Sequence, residues 1–131
     1  MRNLLMVGLL ALFTSGAAIT TDQVVKAFAA AKLEVKTPKR MGPQDYGVAP
    51  YVGKGVRFLI PSLGADNGGR IFDVPNAAER RRLANTYIDL GKQSALFYSW
   101  VFVHKNIVVQ INGDLPEAQA LRYKEALLKL R

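Results

Sequence analysis

From Thr20 onward, apolar residues recur at helical spacing as Val24, Val25, Phe28 and Ala31, and Gln23 follows Thr20 at the distance of a capping box. This pattern predicts an amphipathic helix to about Lys32. The periodicity stops between Thr37 and Gly55, where Pro38, Gly42, Pro43, Gly47, Pro50 and Gly53 interrupt it. A connection of that length is long for a small domain, and Met41, Tyr46, Val48, Tyr51 and Val52 give it apolar anchors, so it is expected to lie against the rest of the chain. Alternation resumes with Val56, Phe58 and Ile60 on one face and Arg57 and Leu59 on the other, predicting a strand closed by Pro61. A turn cluster from Leu63 to Gly69 leads into a return strand, Arg70 to Val74, with Phe72 and Val74 inward. Asn76, with Glu79 at the third position, predicts the start of a helix. Leu83, Ala84, Tyr87, Ile88 and Leu90 form its buried stripe, and Gly91 ends it.

The order then repeats. Ser94 to Val103 predicts a strand, His104-Lys105-Asn106 a turn, and Ile107 to Asn112 the return. Asp114, with Pro116 and Glu117 just inside, predicts a last helix lined by Ala120, Tyr123, Leu127 and Leu130. Tandem strand–strand–helix units suggest pseudo-symmetry. The simplest architecture is an α+β two-layer domain of order α-ββα-ββα, a four-stranded antiparallel sheet with helices on one face. An even-length turn in the second hairpin places Phe102, Trp100, Tyr98 and Leu96 on the same face as Ile107, Val109 and Ile111, the expected core face. The opposite face carries Phe97, Ser99, Val101, Val103, Val108 and Gln110. It is too apolar for open water, and the 37–55 loop, a second copy or a ligand is expected to cover it.

The pattern ahead of Thr20 is different. Met1-Arg2-Asn3 precedes an apolar run from Leu4 to Phe13 and then Thr14-Ser15-Gly16-Ala17-Ala18, and 12 of the first 18 residues are apolar against 53 of the remaining 113. A charged start, a short apolar core and small residues at Gly16 and Ala18 predict a signal peptide cut after Ala18. The run is about half of the roughly 20 residues that span a bilayer, which disfavours a permanent anchor. An N-terminal helix docked in the core is the alternative. The expected division is a leader at 1–18 and one α+β domain at 19–131, exported to the periplasm or the exterior as a soluble protein.

Charge and composition then narrow the chemistry. The chain has 18 Lys and Arg against 10 Asp and Glu, one His and no Cys. Disulfides, thiolate metal sites and a Cys nucleophile are excluded, and a single His cannot build a multi-His metal centre. Loss of Arg2 with the leader leaves a net charge of +7. Outside the cytoplasm this balance points to an anionic envelope polymer or lipid surface as a partner, and away from nucleic acid. A protein partner, or a homodimer through the outer sheet face, is the other expectation.

His104 falls at a hairpin tip with no predicted acid or nucleophile near it, so it reads as a solvated turn residue. Asp22, Glu79, Asp114 and Glu117 sit at helix starts, where capping and the helix dipole explain them. Asp66, Asp73 and Asp89 lack the spacing of a calcium loop. The glycine-rich turn followed by Arg70 could present amides and a guanidinium to an anion. Arg80-Arg81-Arg82 is the densest basic run, with Arg81 and Arg82 pointing to water from the second helix and Arg80 near its buried stripe. The candidate anion- or partner-binding residues are thus Arg57, Arg70, Arg81, Arg82, Tyr46 and Tyr51; no catalytic residue, metal ligand or cofactor is expected.

Several phrases carry a family resemblance: Asp45-Tyr46-Gly47-Val48-Ala49-Pro50, Gly55-Val56-Arg57-Phe58-Leu59-Ile60-Pro61-Ser62-Leu63-Gly64 with Gly68-Gly69-Arg70, Ser99-Trp100-Val101-Phe102-Val103, and Val109-Gln110-Ile111-Asn112-Gly113-Asp114-Leu115-Pro116. Over most of the mature chain the sequence resembles a family of small exported bacterial proteins, often lipoproteins, that are uncharacterised or loosely labelled stress proteins. The resemblance implies an extracytoplasmic location and no particular activity. The chain departs from the lipoprotein members in having no Cys after the leader, so lipid anchoring is not expected. The function expected from these features is a non-catalytic binding or accessory module. A small enzyme with a site under the 37–55 loop, favoured by a pocket holding Arg57, Tyr46 and a buried carboxylate, and a homodimeric structural module are the alternatives.

Overall fold

The computed structural model describes residues 18–131, so the expected leader, apart from Ala18, lies outside the described residues. Helix α1 (Thr21–Ala30) begins at the anticipated capping box: the Thr20 hydroxyl accepts from the Gln23 amide at 3.0 Å, and the Gln23 side chain accepts from the Thr20 amide at 2.8 Å. There follow β1 (Lys36–Arg40), β2 (Lys54–Leu59), β3 (Gly68–Asp73), α2 (Ala77–Gln93), β4 (Ser99–His104), β5 (Ile107–Asn112) and α3 (Glu117–Leu128). The strands form one antiparallel sheet in the order β1-β2-β3-β5-β4, and the class is α+β.

The sheet has five strands, one more than the pattern predicts. The extra strand β1 lies inside the stretch read as connection, because Lys36-Thr37-Pro38-Lys39-Arg40 offers no apolar alternation and every residue of it is exposed. Only an edge strand can carry that sequence. Pro38 has no amide to give a second neighbour, and the pairing with β2 shifts register between Lys36 and Lys39.

Helices cover both faces of the sheet, which corrects the expectation of helices on one face. Ile71 and Phe72 are consecutive in β3, so they point to opposite sides. Ile71 joins Phe58, Ile60, Phe102, Val109 and Ile111 in a core closed by Phe28 of α1 and by Tyr123 and Leu127 of α3. Phe72 joins Val74 and Val108 in a second core, closed by Leu83, Ala84 and Tyr87 of α2 and by Met41, Tyr46 and Ala49 of the loop after β1. Phe72 and Val74 therefore face away from Phe58 and Ile60, not toward them. The two strand–strand–helix units send their helices to opposite sides, which removes the simple pseudo-symmetry. In β5 the run Ile107 to Ile111 is buried throughout, as a strand covered on both faces requires.

The second hairpin keeps the predicted pairing, with Phe102 opposite Val109 and Trp100 opposite Ile111 across a turn at Lys105-Asn106. Strand β4 starts only at Ser99, five residues after the predicted start. Residues Ala95–Phe97 form instead a 3-10 turn, with Ser94 at its N-cap, and Leu96, Phe97 and Tyr98 are left exposed. Helix α3 starts at Glu117 after Pro116, and the Asp114 amide donates to the Asn112 side chain. The beginning of the described chain is anchored by Asn106, whose side chain holds the backbone of buried Ile19.

Candidate functional site

Helix α2 and the loop behind β1 cover the outer face of the sheet only as far as the row through Phe72 and Val108. The next row runs straight across four strands as Arg57, Arg70, Gln110 and Val101, each directly opposite the next. Above it opens a cavity of about 640 Å³. Its floor is Arg57, Arg70, Gln110 and Ser99 with the bare backbone of Gly68 and Gly69; Tyr87 and Leu90 of α2 form one wall. Val48, Leu96, Phe97 and Tyr98 stand around the mouth, with Asp66, Asn67, Asn112 and Asp114. The outer face is thus covered in part by the 37–55 loop, in part by a helix, and elsewhere opens as a pocket.

The floor is tightly bonded. Arg70 donates from Nε to the Asp45 carbonyl at 3.2 Å and from Nη1 to Gln110 Oε1 at 3.1 Å. That fixes the Gln110 amide, whose Nε2 donates to Ser99 Oγ at 2.8 Å. The Ser99 hydroxyl, already accepting, has its own proton left to give. Arg57 Nη1 lies 3.6 Å from Asp45 Oδ1, and Asp45 Oδ2 is engaged by the Gly42 amide at 2.7 Å. Two arginines thus stand directly opposite on neighbouring strands, and the Asp45 carboxylate pairs with Arg57 while Arg70 meets only the Asp45 backbone carbonyl. Like charges in that relation are destabilising unless a counter-charge joins them.

Tyr87 adds a further donor. It is 4% exposed, and its hydroxyl is the one buried side-chain polar atom without a hydrogen-bond partner among the described residues. Burial pushes the phenol up from its usual range, with the Arg70 guanidinium beside it acting in the opposite direction. A guanidinium can only donate, so even a close approach by Arg70 leaves the phenolic proton unused. The group stays a neutral O–H donor at physiological pH.

The other sequence candidates fall elsewhere. Tyr46 is buried in the second core, with its hydroxyl donating to the Gly53 carbonyl. Tyr51 donates to the Asp73 carbonyl at 2.8 Å and lines a separate small hollow with Glu79 and Arg82. Arg81 is exposed on the water side of α2 and lines neither cavity. Of the six, the fold brings Arg57 and Arg70 together at the large cavity and Tyr51 and Arg82 at the small hollow. Sequence reasoning missed Tyr87, Ser99 and Gln110 as site residues. Gln110 carried a signal, being the only polar side chain in the run from Ile107 to Ile111.

The arrangement suits binding more than reaction. Ser99 Oγ is bonded to an amide, not to a base that could take its proton. His104, half-buried, has Nε2 2.6 Å from the Leu130 carbonyl at the far end of β4. Among the described residues no three His, Asp or Glu side chains gather as a metal site would require, and no helix is long and apolar enough to cross a membrane. Comparison with protein-family models, curated proteins and solved structures gives no match.

Proposed function

We propose that the protein is an exported, non-catalytic binding module that takes an anionic group of an envelope component or partner into the pocket on the outer face of its sheet. The observation that carries this is the Arg57–Arg70 pair, two arginines directly opposite on neighbouring strands and both lining the cavity, with the Asp45 carboxylate paired to Arg57. An oxyanion entering there replaces repulsion with charge-assisted hydrogen bonds, and the planar fork of Arg suits carboxylate and phosphate geometry. The mature charge of +7 would steer anionic partners toward the protein over longer distances. Export is supported by the leader pattern and by the resemblance to small exported bacterial proteins.

Titration of the ¹⁵N-labelled protein with inorganic phosphate and with acetate tests the reading. Amide shifts should concentrate at Arg57, Arg70, Ser99 and Gln110, weaken with added salt, and vanish in the Arg57→Gln, Arg70→Gln double variant. Shifts that persist in the double variant, or an unperturbed pocket at high anion concentration, would overturn it. Cell fractionation tests the location: recovery of the protein with a retained leader in the cytoplasm would refute export.

A further inference from the structure

We infer that the pocket takes an amphiphilic anion, with a carboxylate or phosphomonoester head seated on Arg57, Arg70 and the Tyr87 hydroxyl and an apolar tail lying over Leu96 and Phe97. This rests on the anion-binding reading and adds the other half of the ligand.

The head is argued from the balance of donors and acceptors. Gln110 Oε1 is occupied by Arg70, and Ser99 Oγ is occupied by Gln110. What remains among the residues lining the cavity is donors: the unused guanidinium hydrogens, the Ser99 proton and the unpartnered proton of the buried Tyr87 hydroxyl. The carboxylates nearby are Asp45, engaged below the floor, and Asp66 and Asp114, exposed at the mouth. A buried hydroxyl without a partner costs stability, so its retention in the wall of a cavity points to a ligand acceptor. A small oxyanion supplies several acceptor atoms at once.

The tail is argued from the mouth. Leu96 is 90% exposed, Phe97 59% and, on the loop that also lines the cavity, Val48 70%. Leu96 and Phe97 are not on a loose strand. The Phe97 amide donates to the Ser94 carbonyl at 3.0 Å and the Leu96 amide to Ser94 Oγ at 3.2 Å, so the turn is set before anything binds. Apolar side chains grouped beside a cationic hole, and held in place, match a ligand that is charged at one end only. Bare phosphate or acetate would leave them in water. The cavity volume lies within the range of small-ligand sites, about 300–1,000 Å³.

The experiment compares acetate with octanoate, and inorganic phosphate with octyl phosphate, all below their micellar ranges, by calorimetry and amide shifts; octyl glucoside serves as a tail without charge. Each octyl anion should bind at least tenfold tighter than its headgroup alone, the effect of fully burying about two methylene groups. The exposed-site variant Leu96→Ser, Phe97→Ser should remove that gain, so that octanoate binds to it no tighter than acetate does. Tyr87→Phe should weaken both heads several-fold. Octanoate binding no tighter than acetate, or octyl glucoside matching octanoate, would overturn the inference while anion binding at Arg57 and Arg70 stands. No binding of any anion would instead remove the underlying reading. Vesicles containing phosphatidic acid and vesicles of phosphatidylcholine alone separate the sources. Capture by the anionic vesicles alone, lost in Arg70→Gln, assigns the head to a membrane lipid. Binding of monomeric octyl anions without vesicle capture assigns it to a free amphiphile.

Discussion

The side chain of Asn106 holds the main chain of Ile19 at both polar groups, accepting from its N–H at 2.9 Å and donating to its carbonyl at 2.7 Å. The same Nδ2 donates to Asp73 Oδ1 at 2.7 Å, and Asn106 is itself buried in the β4–β5 turn. A hairpin 87 residues away thus fastens the start of the described chain, whose Ile19 side chain sits in the first core. Asn106→Ala should cost about 1–3 kcal/mol, since it leaves buried backbone groups unpaired. Urea denaturation checks this, and a wild-type midpoint in the variant would contradict it. A chain begun at Ile19 should keep the clasp, and one begun at Thr20 should lose it together with the buried isoleucine. N-terminal sequencing of the exported protein is expected to begin at Ile19.

Tyr87→Phe should separate stability from binding. Removing a buried hydroxyl that has no partner leaves the ring packed against Phe72, so stability should stay level or rise by about 1 kcal/mol. Anion affinity should fall. A variant that is clearly less stable would mean that the hydroxyl is satisfied within the folded chain.

Alkaline pH should weaken the fold through Tyr123. Its hydroxyl donates to the Glu34 carbonyl at 2.7 Å, and burial first, then the Glu34 charge, push the phenol up to about 12. Unfolded tyrosine releases its proton near pH 10. The stabilisation is therefore complete below about pH 10 and lost as pH rises toward 12, because the folded chain keeps a proton that the unfolded one gives up. Urea midpoints from pH 9 to 11.5 should decline, and Tyr123→Phe should flatten the decline. Parallel curves for the two proteins would rule this out.

Gly68 is required by close approach. A Cβ there would be driven into the Phe58 carbonyl oxygen, with Leu59 Cα 2.8 Å away, both parts of the β2 backbone that cannot swing aside. Gly68→Ala should cost about 1–3 kcal/mol or more and raise the pocket floor. Thermal unfolding with anion titration reads both effects, and a neutral outcome would show that β2 and β3 can part.

How much of this was legible in the sequence depended on what fixes register. The tight turn after His104 aligns β4 with β5, so the facing of Phe102 and Val109 followed from residue counting. Between β2 and β3 the eight residues from Ile60 to Asn67 leave register open, and the meeting of Arg57 with Arg70 could not be deduced although each had been singled out. The helical stripe on α2 was legible, but not the face it covers, because strands apolar on both sides satisfy a helix on either. The continuous apolar run of β5 was the clue that two covers were needed. Tyr87 belonged to that stripe, and periodicity says nothing of a hydroxyl without a partner.

The position of the site in the sheet has a consequence for selectivity. Arg70 and Gln110 stand on β3 and β5, inner strands bonded to neighbours on both edges and packed on both faces one row below the pocket, whose amides should be among the slowest to exchange with solvent. Val48, Leu96 and Phe97 stand on a loop and a turn at the periphery. A closed base with an open lip would be strict about the charged end of what it holds and tolerant about the length and shape of the remainder. Such a protein would serve a chemical class more readily than a single compound.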